Sequence, residues 1–188
     1  MNLIDVKSPA DLKGLSISEL TDLTAQARQA LMTKVSEHGG HFGPPMGAAE
    51  MIMALHYVFN SPVDKIVYDV SHQSYVHKMV TGRALAFLDH DHYDDVTGYT
   101  DPTESDHDFF NIGHTSTSIS LASGLATARN LKGDSENIIA IIGDGSLSGG
   151  EAFEGLDYAA TLDSNMIIIV NDNDQSIAEN HGGLYGGL

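Results

Sequence analysis

The sequence predicts an α/β protein with a mostly parallel sheet in three layers, with helices on both faces. Two short, β-branched runs, at residues 138–142 and 166–170, each have the pattern of a buried strand. The segment between them, residues 148–161, is rich in Ala, Glu and Leu and carries apolar residues at helical spacing. A strand, a helix and a second strand in this order are typical of a parallel βαβ unit.

The other predicted elements continue this alternation. A capping box at residues 16–19 begins an amphipathic helix that extends to about residue 37, and Gly39-Gly40 ends it. The further elements are a helix at 46–59 after Pro44-Pro45, a turn at 60–62, a strand at 65–70, a helical segment starting at 76–81 and an Ala-rich helix at 116–131. We expect a single domain over residues 1–188, which is long enough to bury a core.

Composition and charge argue against several classes of function. The formal net charge of −17, with only nine Lys and Arg residues, argues against binding to nucleic acid or to an anionic membrane, because both need a basic face. The chain has no Cys, so it has no disulfide framework or thiol chemistry. No apolar stretch approaches the roughly 20 residues of a membrane span, and residues 1–15 do not resemble a signal peptide. These features predict a cytoplasmic protein.

Two polar motifs follow the two strands of the βαβ unit. Gly143-Asp144-Gly145-Ser146 comes after the first strand, and Asn171-Asp172-Asn173 comes after the second. Ligands of α/β proteins bind at the carboxyl ends of parallel strands. A glycine loop that opens a helix favours phosphate, because its free N–H groups and the helix dipole attract an anion. The pair of motifs therefore predicts a phosphate-binding edge of the sheet.

The acidic residue inside the glycine loop indicates a metal ion. Asp144 would repel a phosphate unless a divalent cation lay between them, and Mg²⁺ prefers carboxylate, amide and phosphate oxygens. If the strands are neighbours, about 5 Å apart, the amide oxygen of Asn171 or Asn173 could meet the same ion. The alternative, a β-turn Asp and a helix-capping Asn, is favoured for either motif alone. Together, each after a strand, the motifs favour a metal–diphosphate site.

Three histidines, His41, His72 and His114, lie in turns rich in glycine or hydroxyl groups at the boundaries of predicted elements. Such turns often contain active-site residues, and imidazole can bind a phosphate oxygen or transfer protons near neutral pH. The acidic run at residues 89–95 is interpreted as a solvated surface segment, and His77 as a support for its loop. Five further histidines are interpreted as structural or exposed: His56, His90, His92, His107 and His181.

The Gly-Asp-Gly motif, followed some thirty residues later by Asn, resembles the diphosphate-binding signature of thiamine-diphosphate enzymes. Other motifs extend the resemblance to the 1-deoxy-D-xylulose-5-phosphate synthase family, which is of the transketolase type. They are Gly39-Gly40-His41-Phe42, the segment from Asp69 to Lys78, Thr81-Gly82-Arg83, the segment from Gly113 to Ser118, and Asn171-Asp172-Asn173 with Ser176 to Asn180. Their order and spacing match from about residue 10 onward.

The resemblance implies a role for each matching residue. The implied Mg²⁺ ligands are Asp144, Asn173 and the carbonyl oxygen of Gln175. The residues implied to bind thiamine diphosphate are His72, Gly113, His114, Thr115, Gly145, Ser146 and Asn173, with the N–H groups of Gly145 and Ser146 on the diphosphate. The implied catalytic residues are His41 and His72, and His41 would lie near the thiazolium and act on substrate protons.

The reaction implied by the resemblance joins a two-carbon unit from pyruvate, after loss of carbon dioxide, to glyceraldehyde 3-phosphate. Two departures from the family pattern leave the donor and acceptor open. Gly43-Pro44-Pro45-Met46-Gly47 is more similar to transketolase. The segment from Thr100 to Ser105 stands where the family has Pro-Trp-Arg-Gly-Glu-Ser, and an Arg is lost there. A transketolase-like enzyme with other substrates is therefore the first alternative.

The resemblance covers only the first third of the synthase. In the family, a later domain supplies the glutamate that activates the aminopyrimidine and the Arg residues for the substrate phosphate. We therefore expect a fragment or one subunit of a split enzyme, inactive alone, with the missing catalytic domains or copies of itself as partners. Two other classes stay open. A nucleotide-binding Rossmann domain is opposed by Asp144 inside the loop, and a non-catalytic binding module is favoured by the chain's length.

Overall fold

The computed structural model describes residues 1–173 and 175–185, and its contacts form two compact units. The first unit comprises Met1–Val63 and Ser71–Asn111, and the second comprises Asp64–Val70 and the described residues from Ile112 onward. The single domain expected from the sequence stays a prediction. Within the described residues, no helix has the length and apolar character needed to cross a membrane.

The first unit is helical. Its α-helices are α1 (Ile17–His38), α2 (Gly43–Gly47), α3 (Ala49–Val58), α4 (Tyr75–Lys78) and α5 (Leu85–Leu88). A π-helix at Met79–Arg83 and 3₁₀-helices at Leu3–Asp5, Pro9–Leu12 and His90–Asp95 complete it. The capping box that begins α1 is confirmed, because the Glu19 N–H donates to Ser16 Oγ at 3.3 Å and the Ser16 N–H donates to Glu19 Oε2 at 2.8 Å.

Two helix boundaries differ from the sequence prediction. The single helix expected at 46–59 is wrong, because α2 begins earlier, at Gly43, and a break at Ala48 separates it from α3. Proline is tolerated in a first helical turn, where N–H groups have no intrahelical partner, so Pro44 and Pro45 lie inside α2. The segment expected at 76–81 divides into α4 and the π-helix. Gly82 has φ +94° there, and a Cβ at this position would lie 2.7 Å from the Lys7 carbonyl oxygen.

The second unit contains the predicted parallel sheet. Its strands are β1 (Lys65–Tyr68), β2 (Ile138–Gly143) and β3 (Ile167–Asn171), in the order β1-β2-β3 with both pairs parallel. All five residues from Ile138 to Ile142 are buried. Since side chains alternate between the faces of a strand, both faces of β2 are covered. The predicted α/β class with a parallel sheet is therefore confirmed.

Three helices belong to the same unit: α6 (Ser118–Lys132), α7 (Asp144–Leu147) and α8 (Gly150–Thr161). Helix α6 packs against β1, β2 and α8. The approach of α8 to α6 requires Gly155, since a Cβ there would lie 2.9 Å from Ser120 Oγ and 3.3 Å from Ile119 Cβ. Two short antiparallel strands, β4 (Gln175–Ser176) and β5 (Ala178–Glu179), follow β3.

A buried polar network stabilises the first unit. The carboxylate of Asp108 is fully buried and accepts hydrogen bonds from His77 Nε2 at 2.7 Å and from both terminal nitrogens of Arg83 at 2.7 and 2.9 Å. Arg83 also contacts Glu104 at 3.0 Å, and Lys78 Nζ donates to the same Glu104 oxygen at 2.6 Å. The two carboxylates and the two cationic side chains therefore neutralise one another. A charge inside a protein is costly unless it has such partners.

His56 extends this network at the other side of His77. Its Nε2 lies 2.8 Å from His77 Nδ1, and both rings are fully buried. If His77 Nε2 donates to Asp108, a neutral His77 can accept a hydrogen bond from His56 at Nδ1. The interpretation of His56 as structural and of His77 as a loop support agrees with these contacts. The acidic run is a 3₁₀-helix whose charged side chains are on the surface, as expected.

Stability is expected to fall as the pH is lowered below about 6.5, the ordinary pKa of histidine. Burial lowers the pKa of His56 well below that value, and burial likewise lowers the pKa of His77. Unfolding at pH 5.5 therefore takes up protons that the folded protein does not bind, and each histidine removes up to about 1.4 kcal/mol per pH unit. Urea denaturation at pH 7.5, 6.5 and 5.5 measures this slope. His56→Gln should reduce the slope and exposed His90→Gln should not; a flat profile would contradict the expectation.

Candidate functional site: the strand ends of the second unit and the His41 cluster of the first

The two predicted ligand-binding motifs leave the sheet at the same edge. Strands β2 and β3 are neighbours, and Gly143 pairs in register with Asn171. Asp144 and Asp172 directly follow the two strands, so the two motifs do follow neighbouring strands, as predicted. This pairing places the glycine loop and the Asn171-Asp172-Asn173 motif side by side.

Asp144 is buried, with 5% of its surface exposed. Its carboxylate accepts a hydrogen bond from the Asn180 side-chain amide, and its backbone carbonyl accepts one from the Tyr185 hydroxyl. Among the described residues, no Lys, Arg or His side chain forms an ion pair with it. A buried carboxylate without a cation is costly, and a bound metal ion would remove that cost.

The other two predicted ligands lie just after β3. The Gln175 N–H donates to Asn173 Oδ1 at 3.2 Å, and both residues are exposed. Asp174, between them, lies outside the described residues. No group of three or more His, Cys, Asp or Glu side chains suited to a metal occurs in the described part of the chain. The predicted ligand set contains only one such side chain, the Asp144 carboxylate, together with one amide and one backbone carbonyl. That these three groups bind Mg²⁺ stays a prediction.

A second loop is tied to the glycine loop through Ser116. The Ser116 hydroxyl donates to the Ser146 carbonyl oxygen at 2.7 Å. A Cβ at Gly149 would lie 1.9 Å from Ser116 Oγ, so only glycine allows this approach. The exposed residues Gly113, His114 and Thr115 precede Ser116 directly. Two of the loops predicted to hold the diphosphate are therefore brought together.

Asp69, one residue beyond β1, anchors the second loop. Its buried carboxylate accepts the Ser116 N–H and the Ser118 N–H, each at 2.9 Å, with one oxygen for each. The bond to Ser118 is at the first turn of α6, where the helix dipole favours a negative charge. Ser116 has φ +72°, an uncommon conformation that these bonds stabilise. This role of Asp69 is not among the sequence predictions, although an Asp directly after a buried strand is a signal for it.

His41 lies in an aromatic cluster of the first unit. Its ring centroid is 5.4 Å from that of His72, 5.2 Å from that of Tyr99 and 6.1 Å from that of Tyr75. The two histidines predicted to be catalytic are therefore neighbours. Gly40 has φ +125°, and a Cβ there would lie 2.9 Å from Tyr75 Oη, so this glycine lets the loop approach Tyr75.

The hydroxyl of Tyr75 contacts His41 at two points. The hydroxyl of Tyr75 accepts the backbone N–H of His41 at 3.1 Å and lies 3.3 Å from His41 Nδ1. If the hydroxyl donates its own proton to Nδ1, the ring carries its proton on Nε2. Burial lowers the pKa of His41, which favours this neutral form. The arrangement provides a neutral imidazole with an N–H donor, suited to proton transfer.

His72 follows a strained turn. Val70 and Ser71 have φ +57° and +66°, which is rare for residues other than glycine. Hydrogen bonds from Thr100 and Ser74 hold Ser71 in place. The Thr100 N–H donates to Ser71 Oγ at 2.9 Å, and the Ser74 hydroxyl donates to the Ser71 carbonyl at 2.6 Å. Such strain is retained where the surrounding structure fixes it, often at functional sites.

Glu104 orders the segment from Thr100 to Ser105, which departs from the family pattern. One carboxylate oxygen of Glu104 accepts from Lys78 and Arg83, and the other accepts the Thr97 N–H at 2.7 Å. Thr100 is fixed by its bond to Ser71, and its hydroxyl donates to the Phe110 carbonyl at 2.8 Å. The replaced segment is therefore ordered by residues within the first unit.

Comparison with known proteins gives the family. A family model described as 1-deoxy-D-xylulose-5-phosphate synthase matches residues 3–188. The chain belongs to the 1-deoxy-D-xylulose-5-phosphate synthase family. It is 47% identical over 186 residues to a 1-deoxy-D-xylulose-5-phosphate synthase of Pelotomaculum thermopropionicum and 50% identical over 182 residues to one of Caldanaerobacter subterraneus subsp. tengcongensis. The sequence resemblance is thus confirmed.

The coverage of these synthase relatives is partial. The matches include 99% and 97% of this chain but only 29% of the length of each of those two relatives. A synthase 2 of Geobacter sulfurreducens, 50% identical over 179 residues, is likewise covered over 29% of its length. The chain therefore spans less than a third of the synthases that it matches.

Proposed function

We propose that this chain is the diphosphate-binding part of a thiamine-diphosphate-dependent transferase that condenses pyruvate with glyceraldehyde 3-phosphate. The observation that carries the proposal is the buried Asp144, which forms no ion pair among the described residues and lies in a glycine loop that Ser116 ties to the Gly113–Thr115 loop. Family membership supports the reaction, and the relatives' names supply its product, 1-deoxy-D-xylulose 5-phosphate.

The residues of the second unit fit a Mg²⁺-bound diphosphate. Asp144 would supply a carboxylate oxygen, Asn173 an amide oxygen and Gln175 a backbone carbonyl, which are the oxygens that Mg²⁺ prefers. Gly145 and Ser146 would donate backbone N–H groups to the diphosphate, and Gly113, His114 and Thr115 would line the same cofactor. The Asn180 amide, which now bonds to Asp144, would have to release that carboxylate oxygen.

The chemistry divides between the cofactor and the chain. When bound, thiamine diphosphate supplies the electron sink for decarboxylation and carbon–carbon bond formation. We assign His41, a neutral imidazole held by Tyr75, to proton transfer with the substrates, and His72 to the cofactor and to the same protons. The remaining parts of the longer synthases would complete the enzyme, and an additional copy of the chain is a further expected partner. On this proposal the chain alone is inactive.

Replacing Asp144 by Ala should weaken Mg²⁺-dependent binding of thiamine diphosphate at least tenfold, or about 1.4 kcal/mol. The reason is the loss of the only carboxylate in the predicted ligand set. Isothermal titration calorimetry with the cofactor, in Mg²⁺ and again in EDTA, measures the effect.

The matched control is Asp163→Ala, since Asp163 is exposed and its side chain makes no hydrogen bond among the described residues. Equal weakening by both changes would contradict the metal assignment.

A parallel titration with NAD tests the nucleotide-binding alternative, and saturable NAD binding without thiamine diphosphate binding would favour a Rossmann domain. Absence of activity in the reconstituted longer enzyme, with cofactor binding intact, would favour the non-catalytic alternative.

A transketolase-like enzyme with other substrates stays the second candidate. Its support is Pro44 and Pro45 inside α2 and the ordered segment from Thr100 to Ser105, both of which depart from the synthase pattern. Steady-state assays of the complete enzyme with pyruvate and with ketose phosphates as donors would separate the two candidates.

A further inference from the structure

Tyr99 packs directly against His41 in the first unit, and the assignments above give it no role. The centroid of its ring lies 5.2 Å from that of the His41 ring, with the two ring planes at 64°. This distance is shorter than the 5.4 Å to His72 and the 6.1 Å to Tyr75. The edge-to-face arrangement is one that aromatic pairs prefer.

The backbone before Tyr99 is fixed by buried charges. The Thr97 N–H donates to Glu104 Oε1 at 2.7 Å, and the Thr97 carbonyl accepts from Lys78 Nζ at 2.9 Å. Lys78 and Glu104 also form an ion pair at 2.6 Å, and the Lys78 side chain is fully buried. Both polar backbone groups of Thr97 are thus held by charged side chains, which form the stronger hydrogen bonds. The Thr97 hydroxyl in turn donates to the Tyr99 carbonyl at 2.8 Å.

The backbone after Tyr99 is fixed as well. Thr100 is buried, and its N–H donates to Ser71 Oγ at 2.9 Å. Ser71 directly precedes His72 in the chain. The segment therefore contacts His41 through Tyr99, and through Thr100 it holds the turn that carries His72. Because hydrogen bonds hold the backbone on both sides, the position of the Tyr99 ring against the imidazole is well defined.

Gly98 allows this segment to approach His41. A Cβ at position 98 would lie 3.3 Å from Tyr75 Oη and 3.6 Å from two atoms of the His41 ring, and the first of these distances is tighter than most contacts of a Cβ. The backbone of Gly98 does not have positive φ, so its conformation does not itself require glycine. The close approach to the two rings is what favours glycine here.

The environment of His41 depends on the groups packed around it. Burial lowers the pKa of His41, because water is kept from the ring. Among the described residues, other titratable side chains from the neighbouring elements face the same space: Lys34, His38, His72 and Tyr75. Their effect on His41 does not require Tyr99, so removal of the Tyr99 ring should change mainly the access of water to the imidazole.

We propose that Tyr99 is a positioning residue for His41. Its ring keeps the imidazole in the orientation in which Tyr75 hydrogen-bonds to it, and it shields the imidazole from water. Lys78 and Glu104 act one step further away, by holding the backbone before Tyr99. The inference rests on the proposed function only for the chemical role of His41, and the packing itself can be measured in the chain without cofactor.

The test is NMR spectroscopy of the imidazole of His41 in the ¹³C,¹⁵N-labelled 188-residue chain, without cofactor or Mg²⁺. In the unmodified chain, nuclear Overhauser effects between the ring protons of Tyr99 and His41 are expected. Tyr99→Leu should raise the pKa of His41 towards the ordinary value of about 6.5, because water gains access to the ring. The ¹⁵N shifts of the two ring nitrogens should also move closer together, because the contact with Tyr75 no longer favours one tautomer.

Two further variants separate positioning from a general loss of structure. Tyr99→Phe keeps the ring and should leave the pKa and the nitrogen shifts of His41 unchanged. Tyr57→Leu, in the same unit and at a residue with the same exposed fraction of 36%, should also leave them unchanged. An unaltered His41 in Tyr99→Leu, a missing Overhauser effect in the unmodified chain, or an equal change in Tyr57→Leu would overturn the proposal. A change in Tyr99→Phe as large as that in Tyr99→Leu would overturn the role of the ring.

The complete enzyme distinguishes this inference from the proposed function. If neutral His41 transfers protons, the acidic limb of the kcat profile should move to higher pH in Tyr99→Leu, in step with the pKa measured by NMR. A changed pKa of His41 with an unchanged kcat profile would contradict the proton-transfer role of His41. The same result would still support the positioning of His41 by Tyr99.

Discussion

Replacing Asp108 by Ala is expected to lower the free energy of unfolding by about 3–5 kcal/mol, the usual cost of removing one partner of a buried ion pair. The Asp108 carboxylate accepts four hydrogen bonds, from His77, twice from Arg83, and from the Asp101 N–H at 2.9 Å. Without it, the largely buried Arg83 charge is paired only with Glu104 among the described residues, and His77 Nε2 loses the Asp108 oxygen as its acceptor. The Arg83 Nε already has no hydrogen-bond partner in the described structure.

Urea denaturation at pH 7.5 measures this loss, and Asp106→Ala is the control. Asp106 is exposed and lies two residues from Asp108, so its removal should change the free energy of unfolding by less than about 0.5 kcal/mol. A loss at Asp108 of no more than about 1 kcal/mol, the value of a surface ion pair, would show that the network is open to solvent.

Replacing Asp69 by Ala is expected to lower the free energy of unfolding by about 3 kcal/mol, since each hydrogen bond to a charged group contributes roughly 1.5–3 kcal/mol. The same change should weaken thiamine diphosphate binding at least tenfold. Both effects have one cause. The N–H groups of Ser116 and Ser118 lose their acceptor, and Ser116 is no longer held at φ +72° against Ser146.

Denaturation and cofactor calorimetry on Asp69→Ala give separate readings of stability and binding. Asp134→Ala, at an exposed position after α6, should alter neither. Reduced stability with unchanged cofactor affinity would show that the Gly113–Thr115 loop does not contact the diphosphate. Unchanged stability would show that the two hydrogen bonds to the carboxylate contribute little.

The two positions connect the fold to the proposed chemistry in different ways. Asp108 stabilises the helical unit that contains His41 and His72. It does so through hydrogen bonds from Arg83 and His77, which lie 25 and 31 residues away in sequence. Asp69 instead fixes a loop directly at a predicted ligand-binding edge. A change at Asp108 should therefore act mainly on stability, and a change at Asp69 on both stability and cofactor affinity.

The sequence by itself determined the α/β class, the strands of the βαβ unit and the start of α1. Each of these depends on neighbours along the chain. The buried run at Ile138–Ile142 and the Ser16–Glu19 capping box are recognisable because their residues lie within a few positions of each other. The glycine loop with Asp144 was recognisable for the same reason, since its chemistry is contained in four consecutive residues.

Only the tertiary structure decided which distant polar groups meet. The Lys34 ammonium lies against carbonyls 52 and 59 residues away, Ser116 bonds to a carbonyl 30 residues away, and Asp69 bonds to N–H groups 47 and 49 residues away. No local pattern encodes these partners, because hydrogen bonds and ion pairs require approach within about 3–4 Å. That approach follows from how helices and strands pack.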